Sequence, residues 1–465
     1  MLSLLGTGPG CDDEQKPEEP GRVEKRLEKP SPDRPTVLLI VLDTVRRDRT
    51  TVCGYHKPTT PNLAKLAARG TTFCRMVTPG SWTLPVHASI FTGRYPHAHG
   101  ADFIPSGISV PGFSHLSMSA MRDDLPTLAG LFKKAGYQTA MLSTNPVLHP
   151  AVGLARDFEH VRVYKRFLPG KAGAAYHEVG RLTADLDPKK SLFMFVNISL
   201  AHSPYEKVPP DVDWTEATDE IMSPYKDGLF VRYVTGKMTD AEAEPVLGKL
   251  RSAYDWGVRL ADRDLGRTLG ALAGRGWLND DSIVAVTSDH GELLGEHRLL
   301  DHGRTVVREN IDVFAVIQAP GFEPASRDEH LVQSQDLFPT LLEAAGLKAP
   351  PSTSAVALQT PQEKRTAITV NQPDPHWTKI TGGIAGARHL VAVQRGIRRV
   401  IWSSPDTLVG EKVAGLQPVT EKTESLPGLS RTARELSRAV VAFTGEAVEL
   451  PEETVESLRS LGYVQ

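Results

Sequence analysis

The chain has 465 residues, and its 53 lysines and arginines nearly balance 56 aspartates and glutamates, giving a formal net charge of -3. This length allows one large domain or two unequal domains with a sizeable core. The near-neutral charge argues against a dedicated nucleic-acid binder, although local basic patches stay open. No apolar run approaches the ~18 residues that a membrane span needs, which argues against an integral membrane protein.

Residues 1–35 have the composition of a tether. Met1 to Leu5 is a short apolar stub that resembles the end of a secretory or lipoprotein signal, with a frayed terminus as the alternative. From Cys11 to Pro35 charged residues and prolines prevail, and little apolar surface is available to offset the entropy of ordering. A tether after a cysteine favours an extracytoplasmic enzyme, in the periplasm or at the cell surface, with lipid attachment through Cys11. A cytoplasmic location stays open.

The chain has only three cysteines, Cys11, Cys53 and Cys74. They are too few for a disulfide scaffold, and their spacing fits no tetrahedral zinc cage. One bridge between Cys53 and Cys74 is compatible with the sequence, which does not decide whether it forms.

Short aliphatic runs alternate with helical patterns between residues 36 and 350. The runs that predict strands buried on both faces are Val37 to Leu42, Phe193 to Ile198, Ile283 to Val286 and Val313 to Ile317. The predicted helices are Asn62 to Arg69 with Thr60 as N-cap, Leu125 to Ala135, Tyr254 to Ala273 and Leu337 to Ala345. This alternation predicts an α/β fold with a doubly wound, mostly parallel sheet.

The pattern changes in residues 351–465. Here β-branched stretches punctuated by glycine predict a smaller C-terminal α+β subdomain with an antiparallel sheet. Its predicted elements are strands at Ala367 to Val370, His389 to Val393 and Val400 to Trp402, and a terminal helix at Glu452 to Leu461.

Polar residues follow several of the predicted strands. Asp43, His202 and the pair Asp289 and His290 each come at or just after a strand end, where ligands gather in such sheets. Thr83 precedes Pro85 near a predicted helix start, where a hydroxyl lies at the positive end of the helix dipole. We expect one divalent metal held by Asp43, Asp289, His290 and Thr83. The imidazole favours zinc or manganese, and calcium or magnesium stays open.

Five blocks of sequence occur in a recognisable order. They are Leu-Leu-Ile-Val-Leu-Asp43, Thr59-Thr60-Pro61-Asn62-Leu63, Thr83-x-Pro85-x-His87 with Thr92-Gly93-Arg94, His202-Ser203-Pro204-Tyr205, and Thr287-Ser288-Asp289-His290-Gly291-Glu292. This order resembles the sulfatase branch of the alkaline phosphatase superfamily and covers about residues 36–321. The segment Asp301-His302-Gly303-Arg304 is also similar to that family. The resemblance implies an alkaline-phosphatase-like fold.

The resemblance implies an ester hydrolase but also shows departures. Sulfatases oxidise a Cys or Ser at the position of Thr83 to formylglycine, and threonine cannot form that aldehyde. None of the three cysteines falls at this position, so we expect no formylglycine. The pair Asp289 and His290 stands where sulfatases have Asp-Asn, and is similar to phosphate-handling relatives with a threonine nucleophile. Phosphate esters are therefore favoured over sulfate esters.

The mechanism that the resemblance implies is a two-step displacement. Thr83 attacks phosphorus or sulfur, His202 or His302 donates a proton or binds an ester oxygen, and water releases the acid. By position in the family pattern, His87, Arg94 and Arg304 bind substrate; the alternatives are a helix-pinning role for Arg94 and surface histidines at 202 and 302. The position four residues before His202, where two-zinc relatives carry an aspartate, is Ile198, so one metal is expected rather than two.

Four function classes remain at this point. The favoured one is a metal-dependent hydrolase of small-molecule, glycan-linked or lipid-linked phosphate or sulfate esters. The others are a true sulfuric ester hydrolase without formylglycine, a transferase of lipid-derived phosphoryl groups, and a catalytically silent binding protein. Specificity is expected in inserted loops, including the stretch from Glu206 to Leu250.

Overall fold

The computed structural model describes residues 34–108, 117–168, 174–351, 353–360, 364–386, 388–404, 406–412, 419–421 and 426–442. The predicted attachment residue Cys11, nearly all of the predicted tether and the predicted helix at Glu452 to Leu461 lie outside these residues. Among the described residues, no helix is both long and apolar enough to cross a membrane.

A large mixed sheet forms the centre of the molecule. The strands that precede the C-terminal region are β1 Val37–Leu42, β2 Thr71–Val77, β3 Phe103–Ile108, β4 Gln138–Ser143, β5 His160–Val163, β6 Leu192–Ile198, β7 Ile283–Thr287, β8 Leu293–Leu294, β9 Leu300–Asp301, β10 Asp312–Gln318, β11 Ser326–Asp328 and β12 Val332–Gln333. The large sheet has the order β11-β2-β10-β7-β1-β6-β4-β5, with β12 also paired to β2. All pairs are parallel except those of β10 with β2 and β7. The predicted doubly wound, mostly parallel sheet is confirmed.

Helices cover both faces of this sheet. They are α1 Pro61–Ala67, α2 Thr83–Thr92, α3 Pro96–His99, α4 Leu128–Lys134, α5 Tyr176–Ala184, α6 Leu229–Val234, α7 Asp240–Gly274, α8 Arg308–Ile311 and α9 Leu337–Ala344. Alternate residues of β1 belong to two different cores, with Leu38, Ile40 and Leu42 in one and Val37, Leu39 and Val41 in the other. Since successive side chains of a strand point to opposite faces, this explains why the run is aliphatic throughout.

The longest helix, α7, fixes the starts of two others. The Asp262 carboxylate accepts hydrogen bonds from the backbone N–H groups of Asn62 and Leu63 at the start of α1. Asp264 does the same for Ala175 and Tyr176 at the start of α5. These distant carboxylates satisfy helix N–H groups that have no partner within their own helix.

One predicted helix start is confirmed except for its side-chain cap, and another is wrong. Thr60 stands at the N-cap of α1 but makes no side-chain cap there, because its hydroxyl accepts from the N–H of Thr51 instead. Helix α7 begins at Asp240 rather than at Tyr254. A capping box between Thr239 and Glu242 starts it fourteen residues before the predicted position.

The C-terminal region forms a second sheet. Its elements are β13 Thr366–Asn371, β14 Leu390–Arg395, β15 Arg398–Ser403, β16 Thr407–Lys412 and β17 Val419–Glu421, with helices α10 Pro375–Ile380 and α11 Pro427–Ala442. The five strands are antiparallel and follow each other in chain order, which confirms the predicted small antiparallel sheet. The sheet is tied to the large one by a hydrogen bond from Val370 N to Pro79 O and by a buried ion pair between Arg399 and Asp312.

Cys53 and Cys74 form a disulfide that joins the segment before α1 to β2. The bridge closes a loop with a sequence separation of 21 residues. Changing both cysteines to alanine is expected to lower the free energy of unfolding by about 3 kcal/mol, because the bridge restricts the unfolded chain. Urea unfolding of the double variant and of the wild type measures this. An unchanged midpoint would show that the bridge contributes no net stability.

Candidate active site

The candidate site lies where three neighbouring parallel strands end. Asp43 follows β1, Asp289 and His290 follow β7, and His202 comes shortly after β6, and these strands are adjacent in the order β7-β1-β6. The carboxyl ends of parallel strands share one edge of a sheet, so these residues meet although they are distant in sequence. Asp43, Asp289 and His290 are fully buried.

In each of the two aspartates, one carboxylate oxygen accepts hydrogen bonds and the other accepts none from the described residues. Asp43 Oδ2 accepts hydrogen bonds from Asn145 Nδ2 at 2.7 Å and Asn197 Nδ2 at 2.8 Å. Asp289 Oδ1 accepts from the backbone N–H groups of Thr44 at 3.1 Å and His290 at 2.9 Å. Within the part of the chain that the structure describes, no hydrogen bond reaches Asp43 Oδ1 or Asp289 Oδ2. Burial and the neighbouring charge of Asp43 raise the pKa of Asp289 well above its usual value.

Backbone geometry at Thr44 supports this arrangement. Thr44 has a φ of 60°, in the left-handed region that β-branched residues rarely adopt. Its N–H is the donor to Asp289. Such a conformation costs on the order of 1–3 kcal/mol and concentrates at functional sites.

The ring of His290 has a defined tautomer. Its Nδ1 donates to Gly291 O at 3.0 Å, so Nε2 carries the lone pair. Nε2 lies 3.3 Å from both Thr83 Oγ1 and Asp289 Oδ2. Because Asp289 and Thr83 meet the same ring nitrogen, these residues do not form a Ser-His-Asp type of triad, in which the carboxylate orients the opposite nitrogen.

These groups fit a divalent cation. Asp43, Asp289 and His290 each offer one ligand atom, and the three atoms lie within 4.8 Å of one another. Two buried carboxylate oxygens without a partner are costly unless a cation compensates them. Asn145 also donates to Thr83 Oγ1 at 3.3 Å, which places the hydroxyl beside the same group.

A second group of charged residues surrounds His302. His302 Nδ1 lies 3.1 Å from both Glu292 Oε1 and Asp301 Oδ1. Burial opposes protonation of this histidine, but the two carboxylates raise its pKa to about 9. Asp301 also pairs with Arg304 at 2.5 Å and accepts from the Tyr225 hydroxyl. Burial opposes ionisation of Asp301, but His302 and Arg304 lower its pKa to about 2.

Ile198 supplies no carboxylate near His202, but Glu292 and Asp301 both contact His302. Ile198 itself lies in the core, as its apolar side chain requires. The two carboxylates are already compensated by His302, by Arg304 and by the Tyr205 hydroxyl, which donates to Glu292 at 2.9 Å. The expectation of one metal ion stays a prediction.

The predicted substrate-binding residues lie in different places: His87 contacts the group, with its Nδ1 3.6 Å from Asp289 Oδ2, whereas Arg94 lies away from it. His87 is one helical turn after Thr83, fully buried, and its Nδ1 donates to Thr83 O at 2.8 Å. Burial lowers its pKa, and its ring packs against Phe195. Arg94 follows the far end of α2, and this ten-residue helix is roughly 15 Å long. Arg304, in contrast, reaches the cavity in front of Thr83.

That cavity has a volume of about 390 Å³. Thr83, His202, His302 and Arg304 contribute to its lining, together with five aromatic residues: Trp82, Phe103, Phe167, Tyr225 and Trp377. His202 Nδ1 donates to Ser203 O at 2.6 Å, and its ring stacks on Phe167. Its second ring nitrogen thus stays available to a ligand in the cavity.

Asp102 is a buried carboxylate behind one cavity wall. It accepts hydrogen bonds from Trp82 Nε1 at 2.9 Å and from Phe103 N at 2.8 Å, and the Trp82 and Phe103 rings stack with centroids 3.8 Å apart. Burial raises the pKa of Asp102 to about 7, while these two donors oppose the shift. The carboxyl therefore holds the residue next to Thr83 in place.

The Asp102→Asn variant is expected to become more stable relative to the wild type as pH rises from about 4 to 7. Over this range the unfolded wild type has released the Asp102 proton while the folded state retains it, so wild-type stability falls by roughly 2–4 kcal/mol. The asparagine oxygen can keep both hydrogen bonds. Urea unfolding of both proteins at several pH values measures the difference, and a difference that does not vary with pH would contradict it.

The sulfatase family model matches residues 35–347. The chain belongs to the sulfatase family. An arylsulfatase of Clostridium perfringens is 23% identical over 405 residues, covering 72% of this chain and 79% of that protein. The human N-acetylglucosamine-6-sulfatase is 25% identical over 354 residues, covering 67% of this chain and 61% of that protein. The chain thus spans about three fifths to four fifths of the length of these sulfatases.

Solved structures of similar fold include two kinds of hydrolase. A 2-O GAG sulfatase superposes with a TM-score of 0.65 at 16% identity, covering 91% of this chain and 96% of that one. The phosphonate monoester hydrolase of Silicibacter pomeroyi has a TM-score of 0.64 at 19% identity, covering 90% and 98%. The family and these neighbours support an ester hydrolase of the alkaline phosphatase superfamily. They agree with the resemblance and the fold class that the sequence predicts.

Sequence analysis missed several residues of this sulfatase-family site. Asn197 is a single amide in the otherwise apolar strand β6, and that isolation was a usable signal. Asn145 lies in the turn after β4, and no feature of the sequence sets it apart from other turn residues. Both donate hydrogen bonds to Asp43 Oδ2 and thereby orient this carboxylate.

Proposed function

We propose that this sulfatase-family chain is a metal-dependent hydrolase that cleaves phosphate or sulfate esters through a covalent Thr83 intermediate, with phosphate esters preferred. The observation that carries this is the position of Thr83 Oγ1, 3.3 Å from His290 Nε2 and next to two unpaired carboxylate oxygens. A divalent cation held by Asp43, Asp289, His290 and Thr83, with zinc or manganese favoured, would supply activation of the hydroxyl and charge stabilisation. No formylglycine is involved.

The start of α2 supports Thr83 as nucleophile. Thr83 is the first residue of this ten-residue helix, and its N-cap Trp82 provides no side-chain acceptor. The N–H groups of the first turn therefore point towards the space in front of Thr83, where they stabilise an anionic ester group. His87 Nδ1 holds the Thr83 carbonyl, which makes His87 a positioning residue rather than a substrate ligand.

In the reaction the Thr83 hydroxyl loses its proton to water, Oγ1 forms a bond to phosphorus or sulfur, and the bond to the alcohol oxygen breaks. The departing oxygen needs a proton, and His202 and His302 both line the cavity from which the alcohol leaves. Arg304 lines the same cavity and binds an ester oxygen. Water then attacks the Thr83 ester and releases the acid. Arg94 has no part in these steps.

Two features favour phosphate over sulfate esters. A threonine replaces the modifiable residue of sulfatases, and a histidine follows Asp289 where sulfatases carry asparagine. The second candidate is hydrolysis of sulfate esters, which the names of the curated relatives favour. Purified protein assayed on 4-nitrophenyl phosphate, its diester and 4-nitrophenyl sulfate separates the two. We expect kcat/KM at least about tenfold higher for one of the phosphoesters. Higher kcat/KM on the sulfate would establish the second candidate.

The enzyme is proposed to act outside the cytoplasm. The disulfide between Cys53 and Cys74 supports this, because such bonds persist mainly in oxidising compartments. Substrates are proposed to be small-molecule or glycan- or lipid-linked esters, with no role for nucleic acid. Residues 36–350 carry the reacting groups, and the C-terminal part adds Trp377 to the cavity. Attachment through Cys11 is tested by a lipid mass on that residue in protein from its native host.

A further inference from the structure

The geometry points to a substrate whose alcohol part is an uncharged, flat apolar group such as an aryl ring, rather than a polyanionic glycan. This inference rests on the proposed function and concerns the cavity of about 390 Å³ in front of Thr83. The ester group occupies the end at Thr83, so the rest of the cavity receives the alcohol. What that part of the cavity offers decides which alcohol fits.

Two stacked pairs of aromatic side chains contribute to the walls of the cavity. Trp82 stacks on Phe103 with an interplanar angle of 4°, and Asp102 fixes the Trp82 indole by a hydrogen bond. On another side Tyr225 stacks on Trp377, with ring centroids 5.2 Å apart. Aromatic side chains that are already ordered bind a flat ring with little further loss of conformational freedom.

The cationic side chains of the cavity already contact a carboxylate, and His302 Nδ1 lies 3.1 Å from Asp301 Oδ1. Among its described lining residues there is no lysine, and Arg304 is the one arginine. Its guanidinium pairs with Asp301 and lies 4.3 Å from the centre of the Trp377 ring. The remaining carboxylate, Asp374, accepts from His376 N and Trp377 N at the start of α10. An additional sulfate or carboxylate on the alcohol would thus meet Asp301 and Asp374, while Arg304 and His302 are already engaged with Asp301.

This differs from what a highly sulfated glycan requires. Such a chain needs unpaired arginine and lysine side chains to compensate its charges. Placing an additional anion in this cavity without a partner carries a desolvation penalty. The cavity therefore selects against alcohols that bear a second negative charge.

The first test uses two esters that differ only in one ring substituent. One is the 4-nitrophenyl ester, and the other carries an added carboxylate on the same ring; both have whichever acid group the enzyme turns over. We expect kcat/KM to be at least about tenfold lower for the carboxylate-bearing ester. Equal or higher kcat/KM for that ester would overturn the inference and leave the proposed chemistry intact.

A matched pair of variants tests the wall directly. Tyr225→Phe keeps the ring and loses the hydrogen bond to Asp301, whereas Tyr225→Ala loses both. Tyr225→Phe should retain the preference for the uncharged ester. Tyr225→Ala should raise KM for that ester about three- to tenfold and reduce the preference. An unchanged preference in Tyr225→Ala would show that the ring does not select the substrate.

Binding measurements on the Thr83→Ala variant test the preferred alcohol group separately from the proposed hydrolysis. Quenching of tryptophan fluorescence reports binding of 4-nitrophenyl phosphate and of a disulfated disaccharide without any turnover. Tighter binding of the nitrophenyl ester supports the inference, whether or not the wild type hydrolyses it. A wild type that binds this ester but does not hydrolyse it would count against the proposed function alone. Tighter binding of the disaccharide would overturn the inference.

Discussion

The Thr83→Ala variant is expected to lose at least about a thousandfold in kcat, because the group that forms the covalent intermediate is gone. The fold should tolerate the change. The Thr83 hydroxyl makes two long hydrogen bonds, both 3.3 Å, and alanine is favourable in a helix. Thr83→Ser keeps a hydroxyl in the same place and should retain substantial activity. Steady-state kinetics on the preferred ester measures both variants.

Thr92→Ala is the matched control for this experiment. Thr92 lies in the same helix, its hydroxyl donates to Ala88 O, and it has no place in the cavity. It should change stability slightly and kcat hardly at all. A Thr83→Ala protein that remains within about tenfold of wild-type kcat would show that water, not Thr83, attacks the ester.

The Asp289→Asn variant is expected to lose both metal binding and activity, again by at least about a thousandfold in kcat. The asparagine oxygen can accept the hydrogen bonds from Thr44 and His290, so local structure is kept. It replaces an unpaired, buried oxygen of a carboxylate whose pKa is raised by burial and by Asp43. Without metal the variant should therefore melt at a higher temperature than the metal-free wild type.

The measurement is the melting temperature with added zinc, with manganese and with a chelator. Metal should raise the melting temperature of the wild type and leave that of Asp289→Asn unchanged, since a ligand that binds only the folded state stabilises it. Asp280→Asn is the control, because Asp280 is fully exposed and precedes β7, whereas Asp289 follows the opposite end of that strand. If neither metal nor chelator changes the melting temperature or the activity of the wild type, the proposal that these residues bind a metal ion is contradicted.

The sequence predicts the main sheet well because its central strands are buried on both faces. An unbroken run such as Val37–Leu42 fits a central parallel strand and little else, and its position within the sheet follows from alternation with helices. One pair of very short strands was beyond prediction. Strands β8 and β9 have two residues each, too few for any periodicity, yet their hairpin brings Asp301 and His302 to Glu292.

The candidate site, like the fold, could be predicted from the sequence only in part. Asp43, Asp289 and His290 could be placed together because parallel strands share one edge for their carboxyl ends. The roles of His87 and Arg94 rested on position in a family pattern. Spacing along α2 indicates that His87 lies one turn after Thr83 and that Arg94 lies beyond the other end. It does not tell that the His87 ring donates to the Thr83 carbonyl.

The cavity wall depends on contacts between residues far apart in sequence. Trp377 comes from the C-terminal part and packs against Tyr225 and Phe230. Neither periodicity nor composition indicates such a contact. Long-range packing of this kind is decided by the tertiary fold, and here it sets the shape of the space next to the nucleophile.

The most direct measurement is mass spectrometry of the enzyme after rapid acid quenching during turnover of the preferred phosphoester. The account predicts a phosphoryl group on the peptide that contains Thr83, located on Thr83 itself. Its abundance should vanish in Thr83→Ala and decay in the wild type once substrate is exhausted. Turnover that proceeds without any phosphoryl group on Thr83, or with the group on another residue, would contradict the account.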